Sequence, residues 1–247
     1  MWIKEKVKKY CRKILYGYKS DSESFIQYLR ARGAHIGNEV VFFEPMNTSI
    51  DISRPYLISI GDKVQITKGC TILTHGYDWS VFKGMSGEIL GKAESVEIGN
   101  NVFIGRNVTI MGNCKIGDNV IIGADSIVTK DIPSNTVAVG SPAHVISSIE
   151  DYYEKRKRNQ LDDAFCLVQH YHKAFDKYPP EEELREFFWL FTPRNTPIKN
   201  KVFVDVMELL GNREVSYEAF EASRPSFDNY DMFISYCKER QERCNEN

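Results

Sequence analysis

The amino-acid sequence predicts a mainly-β protein: a parallel β-helix with an N-terminal helix before it and a C-terminal α-helical appendage after it. Three observations predict this architecture. Aliphatic residues recur every six positions through the middle of the chain, a basic amphipathic stretch precedes them, and the pattern becomes helical after Val145. We therefore divide the chain into an N-terminal helical segment (1–33), a β-helix domain (34–146) and a helical appendage (147–247).

The six-residue repeat is the strongest of these signals. A period of six fits neither an α-helix, at about 3.6 residues per turn, nor a lone strand, at about 2. It fits a triangular coil with a short strand on each side, in which the aliphatic residue points inward and a Gly or Asn beside it forms the turn with positive φ. The aliphatic positions are Ile98, Ile104, Ile110, Ile116, Ile122 and Val128, and the smaller inward positions are Val102, Val108, Cys114, Val120, Ser126 and Ile132.

The repeat extends upstream, with two irregularities. Ile60, Ile66 and Ile72 keep the six-residue step, and Ile36 lies 24 residues before Ile60, in phase with it. The stretch 48–55 fits poorly and predicts a bulged coil. The 26-residue separation between Ile72 and Ile98 breaks the phase, so we expect a loop to leave the prism at about residues 75–95.

The N-terminal segment predicts a single amphipathic helix over residues 1–30. Its apolar residues Ile3, Val7, Ile14 and Tyr18 fall at helical spacing. The first twenty residues contain seven Lys or Arg and one acidic residue. We expect this helix to cap the open end of the β-helix, and contact with a membrane surface is the alternative.

The C-terminal appendage carries several helix signals. Ser147–Glu150 has the form of a capping box, and a second helix start is predicted at Pro179–Glu183, where acidic residues favour a helix N-terminus. Glu214–Phe220 and Asp228–Arg240 have further helical patterns. We interpret Lys155–Arg158 as a solvated helix face, and the aromatic residues of the appendage as core: Phe165, Tyr171, Phe175, Phe187 and Trp189.

Composition excludes several classes of protein. A formal charge of −2 argues against a nucleic-acid partner, because phosphate recognition needs a basic face. No stretch approaches the roughly 20 apolar residues of a membrane span, and no apolar segment of a signal peptide follows the first lysines. The six cysteines show no CxxC spacing and predict reduced thiols. We therefore expect a cytoplasmic protein.

Three motifs accompany the repeat: Thr-His-Gly-Tyr-Asp-Trp at 74–79, the run from Ile122 to Pro133, and Val-Gly-Ser-Pro-Ala at 139–143. Together they resemble the hexapeptide-repeat acyltransferases, specifically the maltose/galactoside acetyltransferase-like branch with its bacterial polysaccharide O-acetyltransferases. The resemblance covers about residues 34–146. It implies a left-handed coil, a homotrimer, acetyl-CoA as the acyl donor and no metal.

His75 is the candidate general base. Acyl transfer to a hydroxyl needs a group that accepts a proton near neutral pH, and histidine is suited to it. His75 stands where the six-residue phase breaks, and the resemblance implies that it activates the acceptor for direct transfer. Asp78 could orient the imidazole, hold a sugar hydroxyl or form a turn, and Trp79 could stack on a pyranose. We assign Asp78 and Trp79 to acceptor binding.

The resemblance also implies the residues that bind CoA, with the pantetheine running along the coils between two subunits. Relatives often carry Ser or Thr at the position of Arg106 and Arg at the position of His144, so Arg106 would supply the missing cation. Lys130 would meet phosphate as a point charge. The matching positions are Phe103, Gly105, Arg106, Ala124, Thr129 and Lys130.

Another class of enzyme, the γ-type carbonic anhydrases, shares the β-helix fold. A γ-type carbonic anhydrase needs three histidines around one zinc, but His35 and His144 lie about 40 and about 70 residues from His75, more than two coils away. The expected acceptor is a sugar hydroxyl of a capsule, O-antigen or exopolysaccharide precursor. The amino group of a nucleotide-linked amino sugar, and a non-catalytic scaffold, stay open as alternatives.

Overall fold

The computed structural model describes residues 11–194 and 196–245, apart from the side chains of 244 and 245. The chain forms two compact units, Met1–Tyr152 and Tyr153–Asn247. Each unit has its own cluster of buried apolar side chains. Among the described residues no helix is long and apolar enough to cross a membrane.

Over the residues that the structure describes, the first unit contains fourteen short strands in three sheets, and the sheets form the three faces of a parallel β-helix. The first face contains β1 (His35–Ile36), β4 (Ile58–Ile60), β7 (Val96–Ile98) and β10 (Cys114–Ile116). The second contains β2 (Val41–Phe42), β5 (Gln65–Ile66), β8 (Val102–Ile104), β11 (Val120–Ile122), β13 (Thr136–Val139) and β14 (His144–Ser148). The third contains β3 (Ser49–Ile50), β6 (Thr71–Ile72), β9 (Thr109–Ile110) and β12 (Ile127–Val128).

The six-residue ladder is the interior of this β-helix, as predicted. Strands of successive coils pair in parallel so that equivalent aliphatics stack, for example Ile60 on Ile98 and Ile98 on Ile116. All twelve predicted inward positions from Ile98 to Ile132 are buried. Burial of the aliphatic positions removes apolar surface from water at about 25 cal/mol per Å², so the stacked coils form one continuous core.

The first coil has longer connections on either side of β3 than the second coil has between β4, β5 and β6, in agreement with the expected bulge. Ile50 keeps its inward position on the third face. Two 3₁₀ turns, Pro45–Asn47 and Pro55–Leu57, lengthen the connections on either side of it. A proline begins each turn, where its fixed φ is compatible with the 3₁₀ conformation and its missing N–H is not needed.

The glycines and asparagines have separate roles, and here the sequence-based interpretation was partly wrong. The residue with positive φ lies three positions after the aliphatic, at Asn101, Asn107 and Asn119. Gly99, which follows the aliphatic directly, does not have positive φ. A Cβ at Gly99 would lie 2.8 Å from the carbonyl carbon and oxygen of Gly117 in the next coil. The glycines are therefore required for close stacking of the coils.

Helix α1 (Ser22–Ala31) closes the N-terminal end of the β-helix. The Asp21 carboxylate caps it by accepting a hydrogen bond from the Ser24 amide at 2.8 Å, and Phe25 and Leu29 are fully buried in the same core as the coils. The Arg30 guanidinium donates two hydrogen bonds to the Ile36 carbonyl, at 2.8 Å and 3.0 Å, and one to the Gly37 carbonyl at 2.6 Å. This helix therefore covers the apolar end of the prism, and its Arg30 side chain donates hydrogen bonds to backbone carbonyls at that end.

The prediction of one continuous N-terminal helix was wrong. Residues 11–16 are helical, but a 3₁₀ turn at Gly17–Lys19 separates them from α1. Ile14 is 68% exposed and therefore does not contribute to the core. The part of the prediction that concerns residues 1–10 lies outside the described residues.

Two features interrupt the regular coils. Between β6 and β7 the chain leaves the prism, as expected, and forms helix α2 (Trp79–Ser86), which ends at Gly87 with a φ of 82°. After the fourth coil, β14 pairs antiparallel with β13. This pairing covers the free edge of β13 and ends the β-helix.

The second unit is helical, as predicted, but its elements differ in detail. Helix α3 (Ile149–Phe175) is capped by Ser148, one position later than expected. The segment from Glu181 to Phe191 forms two 3₁₀ turns instead of the predicted helix. Helices α5 (Arg213–Ala222) and α6 (Tyr230–Asn245) were predicted, whereas α4 (Lys201–Glu208) was not.

The aromatic residues assigned to the core of this unit have different environments. Phe165 is buried, as predicted. Phe187, Trp189 and Tyr171 are half-buried. Phe175 is 60% exposed, so the prediction was wrong for this residue. It stands at the last position of α3, where a helix end has fewer neighbours to cover it.

Candidate active site

The candidate base lies where the second coil opens into the excursion. His75 follows β6 by three residues, and its imidazole is 21% exposed. Its Nδ1 contacts the Oδ2 atom of Asp51, which follows β3 by one residue in the preceding coil. Because β3 and β6 pair in register, Ile50 with Ile72, the ladder of the third face brings the two side chains together.

Asp51 is held by a network of hydrogen bonds. Its carboxylate accepts from the Ser53 amide at 2.9 Å, the Ser53 hydroxyl at 2.5 Å and the Thr74 hydroxyl. Burial alone would raise the pKa of Asp51, but the hydrogen bonds from Ser53, Thr74 and His75 outweigh burial, and the pKa lies below its usual value. The carboxylate is therefore ionised at neutral pH although its side chain is only 3% exposed.

This network fixes the tautomer of His75. An ionised carboxylate can only accept hydrogen bonds, so the proton of the neutral imidazole stands on Nδ1. Nε2 then carries a free lone pair. Such an arrangement provides a general base at Nε2 and a fixed negative charge that stabilises the imidazolium once a proton has been taken up.

Asp51, and not Asp78 as the sequence suggested, is the carboxylate that contacts the His75 imidazole. Asp78 is exposed, and it stands at the N-terminus of α2 without donating or accepting a cap hydrogen bond. Sequence analysis missed Asp51 because it lies in the irregular first coil. The signal that could have found it is a carboxylate directly after a buried ladder residue, one coil before His75.

Two aromatic rings lie near His75, one in contact with it and the other next to the first. The Tyr77 ring meets the imidazole edge to face, with centroids 5.1 Å apart. Trp79, half-buried, lies 6.0 Å from Tyr77. The two rings form an aromatic wall next to His75, on which the apolar face of a sugar could pack.

Two of the predicted CoA residues share an edge of the prism with His75. Thr129 follows β12 on the third face, as Leu73 follows β6. β6, β9 and β12 are paired in register, Ile72 with Ile110 and Ile110 with Val128. Thr129 and Lys130, both exposed, therefore lie two coils from His75 along one edge.

Three other predicted CoA residues lie at the opposite edge of the third face. A Cβ at Gly105 would lie 2.6 Å from the Ala124 amide nitrogen, so the two residues are neighbours in adjacent coils. The Arg106 carbonyl accepts from the Asp125 amide at 2.8 Å, and the Arg106 side chain is exposed. Within one subunit the third face separates this group from His75.

Phe103 belongs to a third location. It points outward from the second face, where it is 38% exposed and stands in register with Gln65 and Ile121. These residues line a shallow cavity of about 230 Å³. A single subunit therefore does not bring the six predicted CoA residues together.

Among the side chains that the structure describes, the other histidines and the cysteines form no second pair of this kind with a carboxylate. His35, His144 and His170 are exposed. Burial raises the pKa of the Cys70 and Cys114 thiols, which occupy inward ladder positions. Within the described residues, no group of three or more His, Cys, Asp or Glu side chains has the geometry to hold a metal ion.

Comparison with known proteins places this fold in a family. A family model described as bacterial transferase hexapeptide (six repeats) matches residues 95–130. Protein CapG of Staphylococcus aureus is 42% identical over 131 residues, which cover 53% of this chain and 75% of that protein. The galactoside O-acetyltransferase of Escherichia coli (strain K12) is 42% identical over 113 residues, covering 44% of this chain and 55% of that protein.

Among solved structures, a maltose O-acetyltransferase from Clostridium difficile 630 is 30% identical, with a TM-score of 0.43, covering 59% of this chain and 87% of that one. The matched repeat model spans the third and fourth coils of the β-helix. Since a relative 42% identical is covered over 75% of its own length, the chain belongs to the bacterial hexapeptide-repeat transferase family, among its acyltransferases.

Proposed function

We propose that this protein is an acetyl-CoA-dependent O-acetyltransferase that modifies a sugar hydroxyl of a capsule, O-antigen or exopolysaccharide precursor. The observation that carries the proposal is the Asp51–His75 pair, in which an ionised carboxylate holds Nδ1 of the imidazole and Nε2 makes no hydrogen bond to any described residue. The aromatic wall of Tyr77 and Trp79 beside His75 supports a sugar as the acceptor.

The proposed reaction is a direct transfer. Nε2 of neutral His75 accepts the hydroxyl proton as the acceptor oxygen forms a bond to the acetyl carbonyl carbon. Asp51 stabilises the imidazolium during this step. The tetrahedral intermediate then breaks its carbon–sulfur bond, and the departing thiolate takes the proton from Nε2. The products are the acetyl ester and free CoA, and His75 returns to its starting state.

Binding of the donor would use a second subunit. Thr129 and Lys130 at one edge of the third face, and Gly105, Arg106 and Ala124 at the other, are separated within one chain. In a left-handed homotrimer, as the family resemblance implies, edges of neighbouring chains would meet and place the two groups on one CoA molecule. Lys130 and Arg106 would then pair with its phosphates.

Acetyl transfer to a sugar is supported by the sequence relative named galactoside O-acetyltransferase, which is 42% identical over the matched residues. Asp78, exposed beside the aromatic wall, would hold an acceptor hydroxyl, and Trp79 would stack on the sugar ring. We place the reaction in the cytoplasm, where acetyl-CoA is made.

The test is a thiol-release assay with acetyl-CoA and a panel of oligosaccharides, nucleotide sugars and amino sugars. We expect CoA release that depends on a hydroxyl acceptor. His75→Ala should lower turnover by about 10²-fold or more, because a general base contributes roughly that factor.

His170→Ala is the matched control, because His170 is an exposed histidine of the second unit, and we expect it to keep wild-type turnover. Near-wild-type turnover of His75→Ala would remove His75 from the mechanism. If CoA is released only in the presence of amino sugars, the enzyme is an N-acetyltransferase. If CoA is released with none of the acceptors and calorimetry detects no CoA binding, the chain is a scaffold.

A further inference from the structure

The second unit contains a cavity that the proposed acetyl transfer does not use. Its volume is about 730 Å³, within the range of about 300–1,000 Å³ typical of ligand pockets. The walls come from three parts of the unit: the first turns of α3, the 3₁₀ turn Phe188–Leu190 with the segment after it, and the end of α5 with the residues that follow.

The cavity concentrates positive charge. The cavity is lined by four basic residues but by one acidic residue, Glu186. The basic residues are Arg156, Lys157, Arg194 and Arg224. The chain as a whole has a formal charge of −2, so this local excess of cations is not a consequence of a generally basic protein.

The cations differ in how far they are already neutralised. Arg156 pairs with Asp163 at 2.9 Å. Arg194 donates to uncharged oxygens, including the Trp189 carbonyl at 2.8 Å. Burial lowers the pKa of Arg194, and the nearby Glu221 carboxylate offsets this only in part. For Lys157 and Arg224 the structure, over the residues it describes, gives no ion pair. These two exposed cations are the ones available to an anionic ligand.

Aromatic rings lie beside two of the cations, Tyr153 beside Lys157 and Trp189 beside Arg194. Tyr153 is 58% exposed, and Lys157 Nζ lies 5.7 Å from its ring centroid. Phe187 and Trp189 line the cavity half-buried. Trp189 is held edge to face against buried Phe220, with centroids 5.3 Å apart, so its orientation is fixed by packing.

We propose that this cavity is a second binding site and that it takes an acidic saccharide. Sugar rings present a flat face of C–H groups that packs on aromatic rings, and their carboxylate or phosphate groups pair with Lys and Arg. The cations lie on three separate segments, which matches charges spaced along an oligosaccharide. A nucleic acid would need a continuous basic face, and the neighbouring Asp162 and Asp163 interrupt one.

Isothermal titration calorimetry on the full chain measures binding of oligosaccharides to this site, and acetyl-CoA is left out of the experiment. The probes are a hexasaccharide of galacturonate, a phosphorylated hexasaccharide, a neutral galactose hexasaccharide and a single-stranded DNA hexamer. We expect binding of an acidic hexasaccharide, weakened about tenfold by Lys157→Ala with Arg224→Ala, which corresponds to about 1.4 kcal/mol. The two acidic probes distinguish carboxylate from phosphate recognition, and binding of either supports the site.

The matched control is Lys155→Ala with Arg158→Ala, which removes the same charge from exposed residues that do not line the cavity. We expect its affinity to equal that of the wild type. Equal losses in both double variants, equal affinity for the neutral hexasaccharide, tighter binding of the DNA, or binding of none of the probes would overturn the proposal. None of these outcomes depends on His75, so this proposal and the proposed acetyl transfer fail separately.

Discussion

Asp51 is a nearly buried carboxylate that is nevertheless ionised. Burying a charge is costly unless hydrogen bonds replace the lost water, and here Ser53, Thr74 and His75 provide them. Each bond to a charged group contributes about 1.5–3 kcal/mol. The same bonds prevent the carboxylate from turning away, so Asp51 gives His75 both an orientation and a compensating charge.

At the scale of single residues, we predict the effect of Asp51→Asn on turnover. The amide oxygen still accepts a hydrogen bond from Nδ1, but the negative charge that stabilises the imidazolium is gone. We expect kcat to fall about 10²-fold or more with a small change in KM. Steady-state kinetics of CoA release with a responsive acceptor measures both constants.

Asp78→Asn is the control, because it removes a carboxylate from the same region without touching Nδ1 of His75. We expect KM for the acceptor to rise while kcat is kept. An equal fall of kcat in both variants would contradict the separate roles of Asp51 and Asp78.

At the scale of the element, the turns of the coil combine two requirements. Glycine after the aliphatic lets adjacent coils approach closely, and asparagine two positions later adopts positive φ. The asparagine side chains also bond along the edge: Asn101 Nδ2 donates to Asn119 at 2.8 Å, and Asn119 Nδ2 donates to Asn135 at 2.9 Å. An edge built in this way joins three coils outside the apolar core.

Gly99→Ala should destabilise the β-helix. Its new Cβ would lie 2.8 Å from backbone atoms of Gly117, which cannot move without separating the coils. We expect a loss of about 1–3 kcal/mol in the free energy of unfolding, the usual cost of overpacking. Urea unfolding followed by circular dichroism measures it.

Gly91→Ala is the matched control, since a Cβ there meets no atom within 4 Å and the backbone does not have positive φ. We expect the free energy of unfolding to change by less than about 0.5 kcal/mol. A Gly99→Ala variant as stable as this control would show that the glycine is not needed for coil contact.

These elements also mark how far sequence reasoning extends. The six-residue period predicted the β-helix interior because each aliphatic has one buried position to fill. The period did not predict the roles of the glycines. The contacts between coils depend on how neighbouring coils are aligned, and the sequence of one repeat does not show that alignment. Asp51 was missed for a related reason: the first coil departs from the period, and only the pairing of Ile50 with Ile72 brings it beside His75.

At the scale of the whole molecule, the excursion exposes apolar side chains in the single subunit. Val81 is 61% exposed, Met85 78% and Ile89 62%. An exposed apolar patch is typical of an interaction surface. In the proposed trimer this patch would be covered by a neighbouring subunit, as the division of the CoA residues between two edges also requires.

We predict that the sedimenting species has three times the mass of one chain, which is 28.5 kDa. We expect Met85→Lys to shift the population from trimers toward single chains. A lysine placed in a covered apolar contact must lose its hydration. Sedimentation velocity over a series of concentrations measures the shift, and activity should fall together with the trimer.

Val215→Lys serves as the control, because Val215 is 64% exposed on the second unit, and we expect it to sediment as the wild type. A Met85→Lys variant that stays trimeric at every concentration would rule out the excursion as the contact. A wild-type protein that sediments as a single chain would contradict the trimer itself.

The pairing of Asp51 with His75 through the β3–β6 ladder has a consequence for how such enzymes diverge. Both residues are anchored by the repeat, whereas Tyr77, Asp78 and Trp79 belong to the excursion that follows. Mutations that lengthen, shorten or rewrite the excursion leave the Asp51–His75 pair in register. Natural selection can therefore change which molecule is acetylated without rebuilding the means of acetylating it.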